Sequence, residues 1–349
     1  MGKYTAIDDP SAYFQCELYT GNSSTNAITF SGNSDMKPDL VWQKRRDAAY
    51  YHRLWDSNRG VTKYLASNDS IAEATFGYVS SFDTDGITFG SSDQSVNVNG
   101  GSYVLWNWKA NGGTTSSNTD GSKTATVQAN QDAGFSIVTY AGSGSASTVG
   151  HGLADTPDVI IFKNRSAANV WATYHQGLGN NLKLELNGTG AQDADGSFMN
   201  GTLPTSSVFT VGASVNTNGS GSNYVAYCFA EKQGYSKFGK YIGNGSSDGP
   251  FVYTGFKPAF VMIKRADTTG GWTIYDTKRG YNGNNYELFP HSSEAEYTGT
   301  SFFEADILSN GFKVRLTDAS QNGSGVDYLY IAFAENPFVT STGIPTTAR

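Results

Sequence analysis

Three stretches decide the fold: SYVLWNWKA (102–110), NYVAYCFAE (223–231) and DYLYIAFAE (327–335). In each stretch every second residue is large and apolar, and alternate residues of a β-strand point to opposite faces of its sheet. These apolar residues are Val104, Trp106 and Trp108, then Val225, Tyr227 and Phe229, then Leu329, Ile331 and Phe333. The pattern predicts three strands that each bury one face in a core.

The motifs before each stretch also recur. They are FQCELYTG, FSIVTYAG and KFGKYIG, then PDLVWQK, PDVIIFK and PAFVMIK, in which Pro38, Pro157 and Pro258 each precede a Lys by six positions. An Asn-Gly pair, a strong hairpin signal, stands before each closing stretch. We therefore predict an all-β chain of three tandem β-sandwich repeats of the jelly-roll or concanavalin-like type, 13–111, 134–232 and 236–336. Residues 1–12 and 337–349 are predicted as arms, and 112–133 as a linker rich in Gly, Ser and Thr.

Composition supports an all-β chain and excludes some partners. The 349 residues include 41 Gly, 21 Tyr and 20 Phe, a mixture of turn formers and strand formers. The net charge is −7, and the basic run Lys44, Arg45 and Arg46 is short, so we expect no nucleic-acid binding. No apolar run reaches transmembrane length and no signal peptide is visible, so we expect no membrane insertion.

Residue types that carry chemistry are present without the spacing that catalysis needs. Cys16 and Cys228 are predicted to be free buried thiols, and the four histidines lack metal-ligand spacing. The GxSxG match at 245–249 lies in a Gly/Ser loop with no helical pattern after it. Glu304 and Asp306 lack the companion carboxylate of a glycanase. We expect no enzyme activity and no cofactor, with a glycanase as the weakest hypothesis.

Two polar patterns recur at equivalent positions. Asp56 with Arg59, and Asp276 with Arg279, are predicted to form local ion pairs, whereas His175 replaces the aspartate in the second copy. Lys44, Lys163 and Lys264 are expected to meet a carboxylate or carbonyl, such as Glu231 or Glu335.

Aromatic residues are the only candidates for ligand contact. Trp55, Trp171 and Trp272 lie in the aromatic block of the three copies, with Trp55 offset by three positions. Core packing is the favoured interpretation, and stacking on a glycan or a protein partner is the alternative.

The opening TAIDDPSAYFQCELYTGN, the strand KPDLVWQKRR, the stretch NYVAYCFAE and the ending FAENPFVTSTGIPTTAR resemble a repeat domain of virion proteins from tailed phages, especially marine and cyanobacterial ones. The segment SNTDGSKTATVQANQDAGFSIVTYAG shares the resemblance, which covers nearly the whole chain. It implies no catalytic residue. This chain lacks the long collagen-like or coiled-coil shaft of a self-sufficient tail fibre.

The resemblance implies a structural protein exposed on a phage particle and made in the host cytoplasm. We expect a component of a tail or head fibre, or a capsid decoration protein, that binds other virion proteins and forms a homo-oligomer, with a trimer as one form. The alternative is an adhesin that binds glycans of the host envelope. Three similar units in one chain also predict an arrangement around a common axis, instead of an extended row.

Overall fold

A computed structural model describes residues 5–283, 286–298 and 305–346, and its regular structure is almost entirely β. A single 3₁₀ turn, Pro10–Ala12, precedes the first strand. None of the helical structure in these ranges has the length and apolar character needed to cross a membrane. The predicted all-β class with a sandwich-like build is confirmed.

Segment 13–111 contains strands β1 (Phe14–Thr20), β2 (Asn26–Thr29), β3 (Leu40–Arg45), β4 (Arg53–Asp56), β5 (Lys63–Tyr64), β6 (Ala74–Thr75), β7 (Val79–Asp83), β8 (Gly86–Phe89) and β9 (Ser102–Trp108). The next strands are β10 (Ser116–Asn118), β11 (Ala125–Asn130), β12 (Phe135–Ala141), β13 (Ser147–Gly150), β14 (Val159–Asn164), β15 (Ala172–His175), β16 (Leu182–Glu185), β17 (Asp193–Ala194), β18 (Val208–Val211) and β19 (Asn223–Phe229). The last are β20 (Ser236–Ile242), β21 (Phe251–Tyr253), β22 (Phe256–Arg265), β23 (Trp272–Asp276), β24 (Ala305–Leu308), β25 (Gly311–Val314) and β26 (Asp327–Pro337).

One strand order recurs in the three segments. The inner sheets run β1-β9-β3-β4, β12-β19-β14-β15 and β20-β26-β22-β23, and all their neighbouring strands are antiparallel. In each, the closing strand lies between the opening strand and the strand that follows the proline. Smaller outer sheets, β2-β8-β7, β13-β18 and β21-β25-β24, accompany them. The three segments therefore share one strand order, and their division into three tandem β-sandwich repeats stays a prediction.

The three inner sheets share one core. The alternating residues of the closing strands, including Trp106, Phe229 and Phe333, are all buried in a single cluster with the opposing residues of β3, β14 and β22. Trp108, Phe229 and Phe333 contact one another, with ring centroids 5.5 to 6.2 Å apart. The opposite face of each inner sheet packs in a separate outer core. The segments thus lie around a common centre, as the axial arrangement requires.

The predicted linker, 112–133, contains two strands. β11 pairs with β12 and β10 pairs with β11, so the second inner sheet is extended at this edge. Ala125 and Val127 are buried in the second outer core, and Gln128 is fully buried. This short alternation outweighs the polar composition of the segment. Part of the predicted arms meets as well, because the backbone N–H and the hydroxyl of Ser341 donate to the Asp8 carboxylate.

Candidate functional site: the interfaces between the three sheets

The three recurrent lysines join neighbouring segments through backbone carbonyls. Lys44 Nζ donates to Ser293 O at 3.3 Å, Lys163 Nζ to Ser70 O at 2.9 Å and Lys264 Nζ to Gly190 O at 2.8 Å. The first segment thereby contacts the third, the second contacts the first, and the third contacts the second. Each lysine also donates to a carbonyl of its own segment. For Lys44 and Lys264 this is the last residue of the same strand, and for Lys163 it is Asn169 in the loop that follows.

The suggested carboxylate partners of these lysines are wrong, whereas carbonyl partners are correct. Glu231 pairs with Lys237 at 2.6 Å, and Glu335 pairs with Lys257 at 2.9 Å. Burial lowers the pKa of Lys44 to about 7, and the nearby charge of Arg45 acts in the same direction. Burial also lowers the pKa values of Lys163 and Lys264, each to about 8.

The predicted Asp-Arg pairs form, and each extends into a neighbouring segment. Arg59 Nε lies 2.5 Å from Asp56 Oδ2, and both side chains are fully buried. Tyr227 Oη, from the closing strand of the second segment, donates to the same carboxylate at 2.7 Å. The charge of Asp56 raises the pKa of Arg59 against the opposing effect of burial. This cluster joins the first segment to the second.

The same cluster recurs between the third and first segments. Arg279 Nε lies 2.5 Å from Asp276 Oδ2, and Trp106 Nε1 donates to that oxygen at 2.9 Å. The Arg279 guanidinium lies 5.6 Å from the centre of the Trp106 ring, within reach of a cation–π interaction. Trp106 occupies the strand position that Tyr227 holds in the second segment.

A second carboxylate completes each charged cluster. Glu73 accepts from Arg59 at 3.0 Å and from Arg165 of the second segment at 2.8 Å. Glu296 likewise accepts from Arg279 at 3.1 Å and from Arg46 of the first segment at 2.7 Å. Burial raises the pKa of Glu73, but the bonds from Arg165 and Arg59 outweigh it and lower the pKa overall.

Between the second and third segments, the buried cluster at the equivalent position is uncharged. His175 stands in place of the aspartate, and its Nε2 lies 3.1 Å from Tyr330 O. Because Nδ1 accepts from the backbone N–H of Gly177, Nε2 carries the proton and donates. The facing strand residue is Ile331, which has no polar hydrogen to give an aspartate. Gln192 takes the position of Glu73 and Glu296 in this segment. Its backbone N–H donates to Ala266 O at 2.8 Å.

The tryptophans considered for ligand contact are core residues. Trp55 and Trp171 are fully buried and Trp272 is 1% exposed, so no ring face is open to a sugar or a partner. Trp171 Nε1 donates to Ala66 O at 2.7 Å, and Trp272 Nε1 donates to Glu185 O at 2.9 Å. Both bonds cross to the preceding segment. The contact hypothesis for these three residues is therefore corrected in favour of packing.

His52 takes the equivalent position in the first segment. Gln43 pairs with Arg53, so His52 lies one position beyond this register, next to Lys44, where Trp272 pairs with Lys264 in the third segment. Its Nδ1 accepts from Trp42 Nε1 at 2.9 Å, so Nε2 carries the proton and donates to Phe289 O of the third segment at 3.1 Å. Burial, and then the charge of Lys44, lower the pKa of His52 well below 6.5. The sequence did not predict this hydrogen bond of His52. The offset of Trp55 by three positions showed only that the first segment departs from the pattern of the other two.

The remaining candidates for chemistry are not brought together. Residues 245–249 form bends between β20 and β21, and Asp306 pairs with Arg315 at 2.5 Å, while Glu304 lies outside the described residues. His151 is buried and bonded to the backbone of Leu153 and Thr205. Among the residues that the structure describes, no group of three His, Cys, Asp or Glu side chains has metal-binding geometry.

A family model described as a domain of unknown function, DUF7483, matches residues 9–337. The matched range runs through all three inner sheets and their interfaces. No curated protein matches the chain.

Proposed function

We propose that this chain, which belongs to the DUF7483 family, is a structural protein of a phage particle, a fibre component or a capsid decoration protein that acts by assembly with other virion proteins. The observation that carries the proposal is the use of the buried polar residues. Bonds between neighbouring segments are made by the recurrent lysines, by the Asp-Arg pairs and by the His or Trp residues. Such bonds join the three segments into one rigid body, as a structural protein needs.

The resemblance to repeat domains of tailed-phage virion proteins supports the same proposal. A shared core with cyclic interfaces gives a compact body whose outer surface is free for partners. The proposed localisation is therefore the surface of the particle.

The test is to purify phage particles that encode this chain through a density gradient and to identify their proteins by mass spectrometry. We expect the chain to band with the particles in a fixed ratio to the major capsid protein. Labelling with an antibody in electron micrographs then separates capsid, tail and fibre. Complete, infectious particles without the chain would refute the proposal.

An adhesin that binds host glycans is a second candidate, and one surface favours it. Phe251 and Tyr253 are 45% and 58% exposed on the same face of β21, and exposed aromatic rings stack on sugars. We expect a Phe251→Ala, Tyr253→Ala double variant to lose any glycan-array signal of the parent. An array without signal from the folded parent protein would remove this candidate.

A further inference from the structure

An open cleft lies beside the first inner sheet, between segments one and three. Its volume is about 350 Å³. Residues of β1, of the loop 31–33 and of the turn after β23 line it, together with the end of β26. Polar groups make up much of the lining, including Gln15, Glu17 and Lys278.

The edge of β1 that faces this cleft has unused backbone groups. β1 is the outermost strand of its sheet. The bonds Lys109 N to Tyr13 O and Gly21 N to Gly101 O show that the odd-numbered residues pair with β9. The N–H and C=O groups of Cys16 and Leu18 therefore point away from the sheet. Over residues 5–283, no strand pairs with this edge.

The equivalent edge in the second segment is occupied. Ile137 and Thr139 take the positions of Cys16 and Leu18 in the aligned opening strands. They pair with Gln128 and Thr126 of β11, the strand that the predicted linker supplies. The first segment has no such strand, because the described residues before β1, 5–13, lie elsewhere, with Ala6 N bonded to Gln233 O.

The lining of the cleft corresponds to the residues that hold β11. Asn58 Nδ2 donates to Thr126 O at 3.1 Å and to Ile137 O at 3.2 Å, and Ser57 bonds to Gln128. The equivalent residues in the third segment are Lys278 and Thr277, and both line the open cleft.

The far end of the cleft matches as well. Asn130 at the end of β11 bonds to Ala110 O, and Glu335, which lines the cleft, is the equivalent of Ala110.

The third opening strand shows another solution. Gln176 Nε2 donates to Phe238 O at 2.7 Å, and Phe238 is the equivalent of Cys16. A side chain thus satisfies the Phe238 carbonyl on the outer edge of β20. Lys278, by contrast, donates to Ser31 Oγ at 2.7 Å and leaves the Cys16 carbonyl free.

We propose that the edge of β1 binds an extended segment of another virion protein, which adds antiparallel to the sheet as β11 adds to β12. The occupant is an uncharged stretch of small and β-branched residues with a Gln or Asn directed at Thr277, the pattern of 125–130. A second copy of this chain would have to release its own β11 and expose the buried Gln128. The proposal that the added strand comes from a virion protein rests on the proposed function, whereas the unpaired edge of β1 does not.

The test uses the purified full chain and a synthetic peptide with the sequence of residues 122–131, SKTATVQANQ. Binding is measured by fluorescence anisotropy, and amide hydrogen exchange is followed by NMR. We expect exchange at Cys16 and Leu18 to slow about tenfold or more with saturating peptide, since added strands bind through main-chain hydrogen bonds. A scrambled peptide is expected to have no effect.

The matched variants are Leu18→Pro and Leu18→Ala. Proline removes only the outward N–H, because residue 18 does not pair with β9, and an edge strand tolerates it. We expect Leu18→Pro to weaken peptide binding about tenfold and Leu18→Ala to change it less than about twofold. If Leu18→Pro does not fold, the exchange data on the parent chain decide.

Unchanged exchange at Cys16 and Leu18 with millimolar peptide, or protection at β20 instead, would overturn the proposal. These results do not depend on particle composition, so they are separate from the test of the virion role.

Discussion

The interface between the first and second segments and the interface between the second and third have different buried polar residues at equivalent positions. In the first, a buried Asp56–Arg59 pair receives a hydrogen bond from Tyr227. In the second, His175 donates to a carbonyl and faces Ile331. The polar residues change together across the interface. The fold therefore pairs the buried polar groups of these two clusters with each other, but it does not require charge there.

The largest expected effect is at the charged interface. Arg59→Met leaves Asp56 buried without its cation, and breaking a buried ion pair in this way costs about 3–5 kcal/mol. We expect that loss in the free energy of unfolding measured by urea denaturation. Arg265→Met is the control, because its pair with Asp267 is partly exposed and contributes at most about 1 kcal/mol. Equal losses in both variants would show that the buried pair stabilises the protein no more than the partly exposed pair does.

The uncharged cluster around His175 is expected to respond to acid. Burial lowers the pKa of His175 to about 4 from 6.5. The stability that neutral His175 contributes is therefore complete above pH 6.5 and is lost as pH falls towards 4, by about 3 kcal/mol.

His175→Gln keeps an amide donor for Tyr330 O and does not titrate. We expect its urea midpoint to fall less steeply than that of the parent chain between pH 6.5 and 4. His52 titrates in the same direction in both proteins, so the difference between them isolates residue 175. Parallel pH profiles would contradict the assignment.

A smaller effect is expected from the hydroxyl that crosses the charged interface. Tyr227→Phe removes the donor to Asp56, and a hydrogen bond to a charged group contributes about 2 kcal/mol. Tyr235→Phe is the matched control, because Tyr235 is also buried and its hydroxyl has no partner among the residues described. Thermal and urea unfolding of the two variants should separate them clearly. A loss at Tyr235 as large as that at Tyr227 would show that the bond has no special role.

The smallest expected effect is at Arg165, on the partly exposed edge of the same charged cluster. Arg165→Met removes the second cation of Glu73, which Arg59 still neutralises, and we expect a loss of about 1 kcal/mol. Because Arg165 is partly exposed, the difference from the parent should shrink in 1 M NaCl. A difference that does not respond to salt would place the effect in packing instead of charge.

The sequence predicted the parts of the fold that depend on local pattern. Alternation identified the buried faces of the closing strands, and the apolar run after each proline marked a central strand. The Asp-Arg pairs are three residues apart and were equally visible.

Contacts between segments could not be predicted in this way. Ser70 O, the partner of Lys163, is 93 residues away and is a backbone atom that no sequence motif marks. The equivalence of His52 with Trp171 and Trp272 depends on strand register, and the aromatic pattern favoured Trp55. In 112–133, two buried apolar residues in alternation were too weak a signal against the Gly and Ser content.

The shared core has a consequence for synthesis of the chain. Strand β26, a central strand of the third inner sheet, comes after all the other strands that line the shared core. Until β26 has been synthesised, the apolar faces of the first two inner sheets lack the third sheet, and Trp108 and Phe229 lack their contact with Phe333. Chains that stop short of β26 should therefore expose apolar surface and aggregate, and synthesis of β26 should allow the shared core to close.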